Sequence, residues 1–304
     1  MSSSPPDAFT VRDAGVADLE AAAELVRAEE EVLRGESTFG AGDLSDFWFW
    51  AGFDGGSWVL ERAGEMAGFA ACIYREDRAE CWATVHPDDV GLGLGTFLLV
   101  RAEERARELR KPVLTAGRLA ENERAESLLE ALRFREARHF FQMRIAFDGP
   151  PEAPQWPDGV EPATFRREDA RDFHRTLNEA FAEEWGFHSL SFDEWSKRRL
   201  EAPDNDTSLW FIARAGDDVA GVVRCDAHRD GGGWIGALGV AKPWRRRGIG
   251  LALLRHAFAE FHRRGEPHVG LGVDAQNPTG ATRLYERAGM RVLKEDVIYE
   301  KKLA

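Results

Sequence analysis

Cysteine is scarce in this chain, and the three residues present form no framework. Cys72, Cys81 and Cys225 show no paired arrangement and no CxxC spacing. Each lies within or beside an apolar, strand-like run, which predicts buried thiols rather than disulfides. The 8 histidines and the scattered acids show no metal-ligand spacing, so no metal is expected. No apolar run approaches the ~20 residues of a membrane span. The opening Met1-Ser2-Ser3-Ser4-Pro5-Pro6 lacks the apolar core of a secretion signal. A soluble, cytoplasmic protein without a membrane partner is expected. Positive charge is in deficit: Lys and Arg number 40 against 53 Asp and Glu, a formal net charge of -13. That balance argues against a nucleic-acid partner, which calls for a basic face, and is compatible with a cationic amine as substrate.

What is present is enough for two globular domains: 304 residues, 43% hydrophobic and 31% charged. The chain is organised around Trp234 to His262. Trp234 to Val240 reads as a buried strand, Ala241 to Gly250 as a turn holding Arg245, Arg246, Arg247, Gly248 and Gly250. Leu251, Leu254, Ala257, Phe258 and Phe261 then recur at helical spacing until Gly265 and Pro267 stop the helix. Glycines at a helix start leave no Cβ between the amides and a ligand. The first-turn N–H groups have no internal partner, so a phosphate fits there, and three arginines add charge. The stretch lacks the Lys-Ser/Thr of a nucleotide P-loop and the third glycine of a dinucleotide fingerprint. By itself it also suits a plain strand-to-helix turn with a solvated basic face.

The downstream partner narrows the reading. Val269, Leu271 and Val273 alternate as a strand, Asp274 to Ala281 form its exit, and a helix carries Leu284, Tyr285 and Gly289. Arg245, Gly248, Gly250, Asn277, Leu284, Tyr285 and Gly289 together closely resemble the two linked motifs of the GNAT acetyltransferase superfamily, with Met290 in place of the usual aromatic. The tandem layout and the Asn277-Pro278-Thr279-Gly280-Ala281 stretch are similar to mycothiol-synthase-like members.

An internal repeat sets the domain organisation. Trp58 to Gly64 mirrors Trp210 to Gly216, Ala67-Gly68 mirrors Ala220-Gly221, Gly93 and Gly95 mirror Gly248 and Gly250, and Asn122 mirrors Asn277. Between the copies, Gly149 to Gly159 is rich in proline and reads as a linker. The expectation is a first domain over 1–149, a linker over 150–159 and a second domain over 160–304. The resemblance implies an α/β (α+β) fold for each: a mixed, mostly antiparallel sheet flanked by helices, whose fourth and fifth strands splay apart at the turn. It also implies a monomer, the tandem standing in for a dimer. Within the first domain, Ala17 to Leu33 reads as helix and the aromatic-rich 35–56 as irregular.

The halves are unequally equipped. The first keeps Gly91, Gly93, Gly95 and Asn122, but has Val90 for the arginine, Leu129 for Tyr285 and Arg133 for Gly289. The resemblance therefore implies an acetyl-CoA-dependent N-acetyltransferase active in the second domain, acting on a small-molecule amine. Acetyl-CoA would be held by Leu238, Gly239 and Val240 at the strand end, by Arg245, Arg246, Arg247, Gly248, Ile249, Gly250 and Leu251 at the turn, and by Asn277. Asn277 also suits a turn residue before Pro278. Tyr285, whose phenol stays protonated at neutral pH, is the expected acid to the leaving sulfur, although it also suits a core anchor beside Leu284. No base is assigned: Trp234 to Val240 holds no carboxylate or histidine, which leaves Asp226, His228, Glu183, Glu184 and His188 as candidates. Ala180 to His188, with Phe192 and Trp195, read as the lip of an acceptor pocket, and equally as the packing of a two-helix lid. A non-catalytic acyl-CoA-binding module and a peptide or protein N-acetyltransferase are the alternatives.

Overall fold

The computed structural model describes residues 4–201, 205–277 and 279–303, the side chains of Asp46 and His228 excepted. His228, one candidate base, therefore has its side chain outside the described residues.

The first compact unit comprises Met1–Phe140 and Glu295–Ala304. Its elements are β1 (Thr10–Asp13), α1 (Leu19–Arg34), α2 (Ala41–Trp50), β2 (Trp58–Arg62), β3 (Glu65–Tyr74), β4 (Ala79–Val85), α3 (Leu94–Glu108), β5 (Val113–Leu119), α4 (Glu123–Ala131) and the start of β6 (Arg135–Ala146). Strands β1 to β4 pair antiparallel in sequence order, and β4 pairs parallel with β5. One core, around Leu60, Leu98 and Leu114, lies between the sheet and α3 and α4; another, around Trp48, Val59 and Phe69, lies beneath α1 and α2. The second lies where the sequence predicts irregular chain. Gly40 caps α2 through a bond from its N–H to Asp43, and Trp48 is buried while Phe49 on the same helix is exposed. A helix without polar alternation hides its period, so the aromatic run masks it.

The second unit, Phe141–Lys294, repeats the order with β7 (Glu161–Thr164), α5 (Ala170–Phe181), α6 (Phe192–Trp195), β8 (Phe211–Ala215), β9 (Asp218–Arg229), β10 (Gly232–Val240), α7 (Ile249–Arg263), β11 (His268–Asp274) and α8 (Ala281–Arg287), followed by β12 (Arg291–Lys302). β7 to β10 pair antiparallel in order, and β10 pairs parallel with β11. Each unit is thus the mixed, mostly antiparallel sheet flanked by helices that the resemblance implies. The three thiols are free and buried.

The compact units do not break at the proline-rich linker. They divide at Phe140/Phe141, with a second break at Lys294/Glu295. Strand pairing is the reason. Asp296 to Lys302 of β12 run antiparallel along Leu119 to Val113 of β5, burying Val297 and Tyr299 in the first unit's core. In the second unit, Met143 and Ile145 of β6 join the core around Phe258 and Val269, and the Phe147 N–H donates to the Pro267 carbonyl at 3.0 Å. β6 is thus divided between the units at Phe140/Phe141 and β12 at Lys294/Glu295.

Candidate functional site

In the second unit the parallel ladder joins Gly233 to Val269 and Trp234 to Gly270. β10 then runs on to Val240 and β11 to Asp274, the splay that opens a slot at their ends. At the mouth of the slot Gly248 caps α7 with φ +88°, a left-handed backbone that favours glycine, and has open space where a Cβ would stand. Gly250 serves a different end: a Cβ there would lie 3.1 Å from Leu284, so it lets α8 approach α7. The N–H groups of Ile249, Gly250 and Leu251 open the helix, ahead of the bond from the Ala252 N–H to the Gly248 carbonyl. Arg246, itself left-handed at φ +63°, and Arg247, stacked 4.9 Å from the Trp244 ring, are exposed at this turn. Arg245 turns inward, Nε donating to the Val240 carbonyl at 3.1 Å, and ties the turn to the strand end.

β10 carries a bulge. Ile235 pairs with Cys225 and Ala237 with Arg224, leaving Gly236 as the extra residue. Leu238, Gly239 and Val240 follow it in regular register with Val223, Val222 and Gly221. Ala237 packs with Phe173 and Leu177 of α5. Arg224, opposite Ala237, and Asp226, opposite Trp234, occupy that same face, and any side chain at Gly236 would collide with them. Arg224 is 7% exposed, and its Nη1 reaches both oxygens of Asp226, at 2.6 and 2.8 Å. An arginine alternating within a strand gives no sequence signal of this role, and the sequence reading missed it.

Three of the sequence-predicted residues meet at the exit of β11. Asn277 Oδ1 accepts from the Thr279 N–H at 2.8 Å and from Thr279 Oγ1 at 2.5 Å. That fixes its amide so that Nδ2 donates to Glu184 Oε1 at 2.9 Å. Both ends of the Asn277 amide are thus engaged within the protein. Tyr285, half-buried on α8, packs against the core of the unit. Burial, and next the negative charge of Glu184, push its phenol well above its ordinary range. Burial likewise raises the Glu184 carboxyl, against the lowering bond from Asn277 and with Asp274 adding to the rise.

The other candidates part from this cluster. Glu183 is exposed and pairs with Lys242 at 3.0 Å. Asp226 is held by Arg224, and His188 is partly buried in the loop after α5. Trp195, expected at the pocket lip, is instead 7% exposed in the core with Phe173 and Trp210. Aromatic rings this large are buried wherever a helix crosses a sheet, which corrects that part of the lip.

The first unit holds a related cavity of about 510 Å³ at its own glycine turn, lined by Glu29, Thr84, Val85, Gly93, Asn122 and Leu128, among others. Gly93 again caps its helix, at φ +87°, and Gly95 again admits a neighbouring leucine, Leu128. Asn122 Nδ2 donates to Glu29 Oε1 at 2.7 Å, and Thr84 bonds the same carboxyl. Burial pushes Glu29 up to about 7. The sequence reading missed Glu29, since an acid in the last turns of a helix looks like a solvated one. β3 and β4 pair without a register shift from Gly68–Val85 to Tyr74–Ala79, and buried Leu129 stands where the second unit has Tyr285. Among the described residues, no group of three or more His, Cys, Asp and Glu could hold a metal ion, and no helix is long and apolar enough to cross a membrane.

Comparison with known proteins places both units. The Acetyltransferase (GNAT) family matches residues 19–134 and again 170–290. A mycothiol acetyltransferase of Thermobispora bispora is 30% identical over 250 residues, covering 80% of this chain and 82% of that protein. The mycothiol acetyltransferase of Nocardiopsis dassonvillei is 31% identical over 245 residues, 71% of this chain and 72% of that one. Among solved structures, a GCN5-related N-acetyltransferase from Sphaerobacter thermophilus superposes with a TM-score of 0.83 at 33% identity, over 98% of this chain and 97% of its own. A tandem GNAT protein from the clavulanic acid biosynthesis pathway shares the fold, with a TM-score of 0.74 at 15% identity over 97% of this chain and 98% of its own.

Proposed function

Since the chain belongs to the GNAT acetyltransferase family and is an acetyl-CoA-dependent N-acetyltransferase, we propose that it acetylates the primary amine of a small molecule by direct attack on the thioester, in its second unit. The observation that carries this reading is the convergence of three features in one unit: an open, arginine-flanked helix start beside Gly248, a bulged strand at Gly236, and the Glu184–Asn277–Tyr285 cluster. The turn amides, with Arg246 and Arg247, bind pyrophosphate. The bulge re-aims the strand amides after Gly236 toward the thioester oxygen, where charge develops. Tyr285, kept protonated by burial, gives its proton to the departing sulfur. The relatives named mycothiol acetyltransferase support a small-molecule acceptor. For the first unit, the unbroken β3–β4 register and Leu129 favour the other reading, a non-catalytic module.

Calorimetric titration of acetyl-CoA tests this reading in wild type, in an Arg246→Glu/Arg247→Glu protein and in a Leu92→Glu protein. A CoA-release assay with amino sugars, amino acids, aminoglycosides and short peptides accompanies it. The expected result is binding weakened by the double charge reversal and unaffected by Leu92→Glu, with turnover of a small amine. Absence of acetyl-CoA binding by wild type would sink the reading.

A further inference from the structure

The geometry points to Glu184, hydrogen-bonded to Asn277, as the proton acceptor for the incoming amine, with Tyr285 as the acid. The inference rests on the acetyl-transfer reading of the second unit. The strand that passes the thioester offers no base: from Gly232 to Val240, β10 has only Gly, Trp, Ile, Ala, Leu and Val. Glu183 is spent on Lys242 and Asp226 on Arg224. Glu184 differs from both. It is partly buried, and one oxygen, Oε1, is held at 2.9 Å by an amide that Thr279 locks in orientation. Oε2 is thereby positioned to take a proton. Around it stand Asp274 at the end of β11, Tyr285 on α8, Glu183 with Lys242, and Arg245, turned away onto the Val240 carbonyl. A carboxylate with another carboxylate, Asp274, as a charged neighbour suits an ammonium ion.

The protons balance as follows. The ammonium form of the acceptor gives one proton to Glu184, which later releases it to solvent. The neutral nitrogen attacks the carbonyl carbon, and the C–N bond forms. The C–S bond breaks, and the sulfur takes the Tyr285 proton. The remaining surplus proton on nitrogen restores the phenol. The products are the acetamide, free CoA thiol and one proton.

The first unit supplies an internal control. Glu29 also bonds an asparagine at the exit of a parallel strand, yet it lies within α1, where the second unit has Ala180 by element order, and it faces Thr84 rather than a glycine. If a glutamate–asparagine bond were only a clamp between helix and strand, both pairs would act on stability alone.

The test is the pH profile of kcat/KM in wild type, Glu184→Gln, Glu184→Asp and Glu29→Gln proteins, using acetyl-CoA and the fastest amine of the panel above. Melting temperature and acetyl-CoA affinity are measured in parallel. Wild type should lose activity toward acid through a carboxyl titrating above its usual range. Glu184→Gln should lose about a hundredfold at neutral pH, lack that acid limb, and recover toward wild type above the amine's own pKa, where no base is needed. Glu184→Asp should regain part of the loss, Glu29→Gln should keep the wild-type profile, and acetyl-CoA affinity should hold throughout. A Glu184→Gln protein that keeps the acid limb with kcat/KM within threefold of wild type would overturn the assignment while leaving the acetyltransferase reading standing. A matching loss in Glu29→Gln would also overturn it. A wild type that binds acetyl-CoA but acetylates no amine would remove both.

Discussion

Where the helix after the first strand crosses the exit of the strand before the glycine turn, the two units fill the same place differently. In the first, Glu29 of α1 reaches Thr84 and Asn122, and a carboxyl closes over the strand end. In the second, a Cβ at Gly239 would lie 3.0 Å from Ala180, so helix and strand meet with almost nothing between them. The polar partner of Asn277 comes instead from Glu184, beyond the end of α5. The packing glycines are kept in both, Gly95 against Leu128 and Gly250 against Leu284, because two helices cannot close there otherwise. Other features are not kept: Leu129 stands in the place of Tyr285, and the bulge at Gly236 has no counterpart in β4. Packing constrains the backbone of a repeat more tightly than it constrains the side chains that line its cavities, so two copies can share a shape and differ in what they present there.

Several substitutions break or sharpen that contrast. The largest effect is expected from Tyr285→Phe, which removes one hydroxyl and should lower turnover about a hundredfold with unchanged acetyl-CoA affinity. Adding Leu129→Tyr to that protein should restore nothing, since β4 lacks the bulge; recovered CoA release would show that the first unit needs only the phenol. Next, Arg246→Glu with Arg247→Glu should weaken acetyl-CoA binding at least tenfold, ~1.4 kcal/mol or more, seen by calorimetry.

The smallest effect belongs to Glu29→Gln. The Glu29 carboxyl titrates near 7 when folded against an ordinary value of 4.5, so the folded state holds the extra proton between those values. Its contribution is fully present below the ordinary value and is lost as pH rises through about 7. Wild type should therefore lose stability over that window and the glutamine protein should not. The variant should melt higher at pH 8 than wild type, by about 2–4 °C for a change near 1 kcal/mol, with less difference at pH 5.

How much of this is legible in the sequence depends on whether the signal is local. Gly248 and Gly250 stand out because a sharp helix start needs such residues within a few positions, whereas Asn277, Leu284 and Tyr285 stand out only through their resemblance to the family's linked motifs. The slot between β10 and β11 follows from the same motifs. Glu183 and Glu184 are adjacent acids with the same local surroundings, and only the fold turns one to Lys242 and the other to Asn277. Arg224 is hidden in the same way, since alternation along β9 cannot reveal a bulge on β10. α2 was missed because Phe47, Trp48, Phe49 and Trp50 blur helical period. The pairing of β12 with β5 has no local signal either, because strand pairing is a long-range choice and the alternating pattern of β12 suits an edge on either sheet.

That choice of edge has a consequence for synthesis. Residues 296–302, which complete the first sheet alongside β5, are translated only after the whole second repeat. Until they emerge, β5 lacks the partner it has in the folded protein, and an edge of that kind invites strand pairing. A gene cut at the proline-rich linker would remove from the first unit the strand that β5 pairs with here, so the cut at the linker and the cut between the units are different operations.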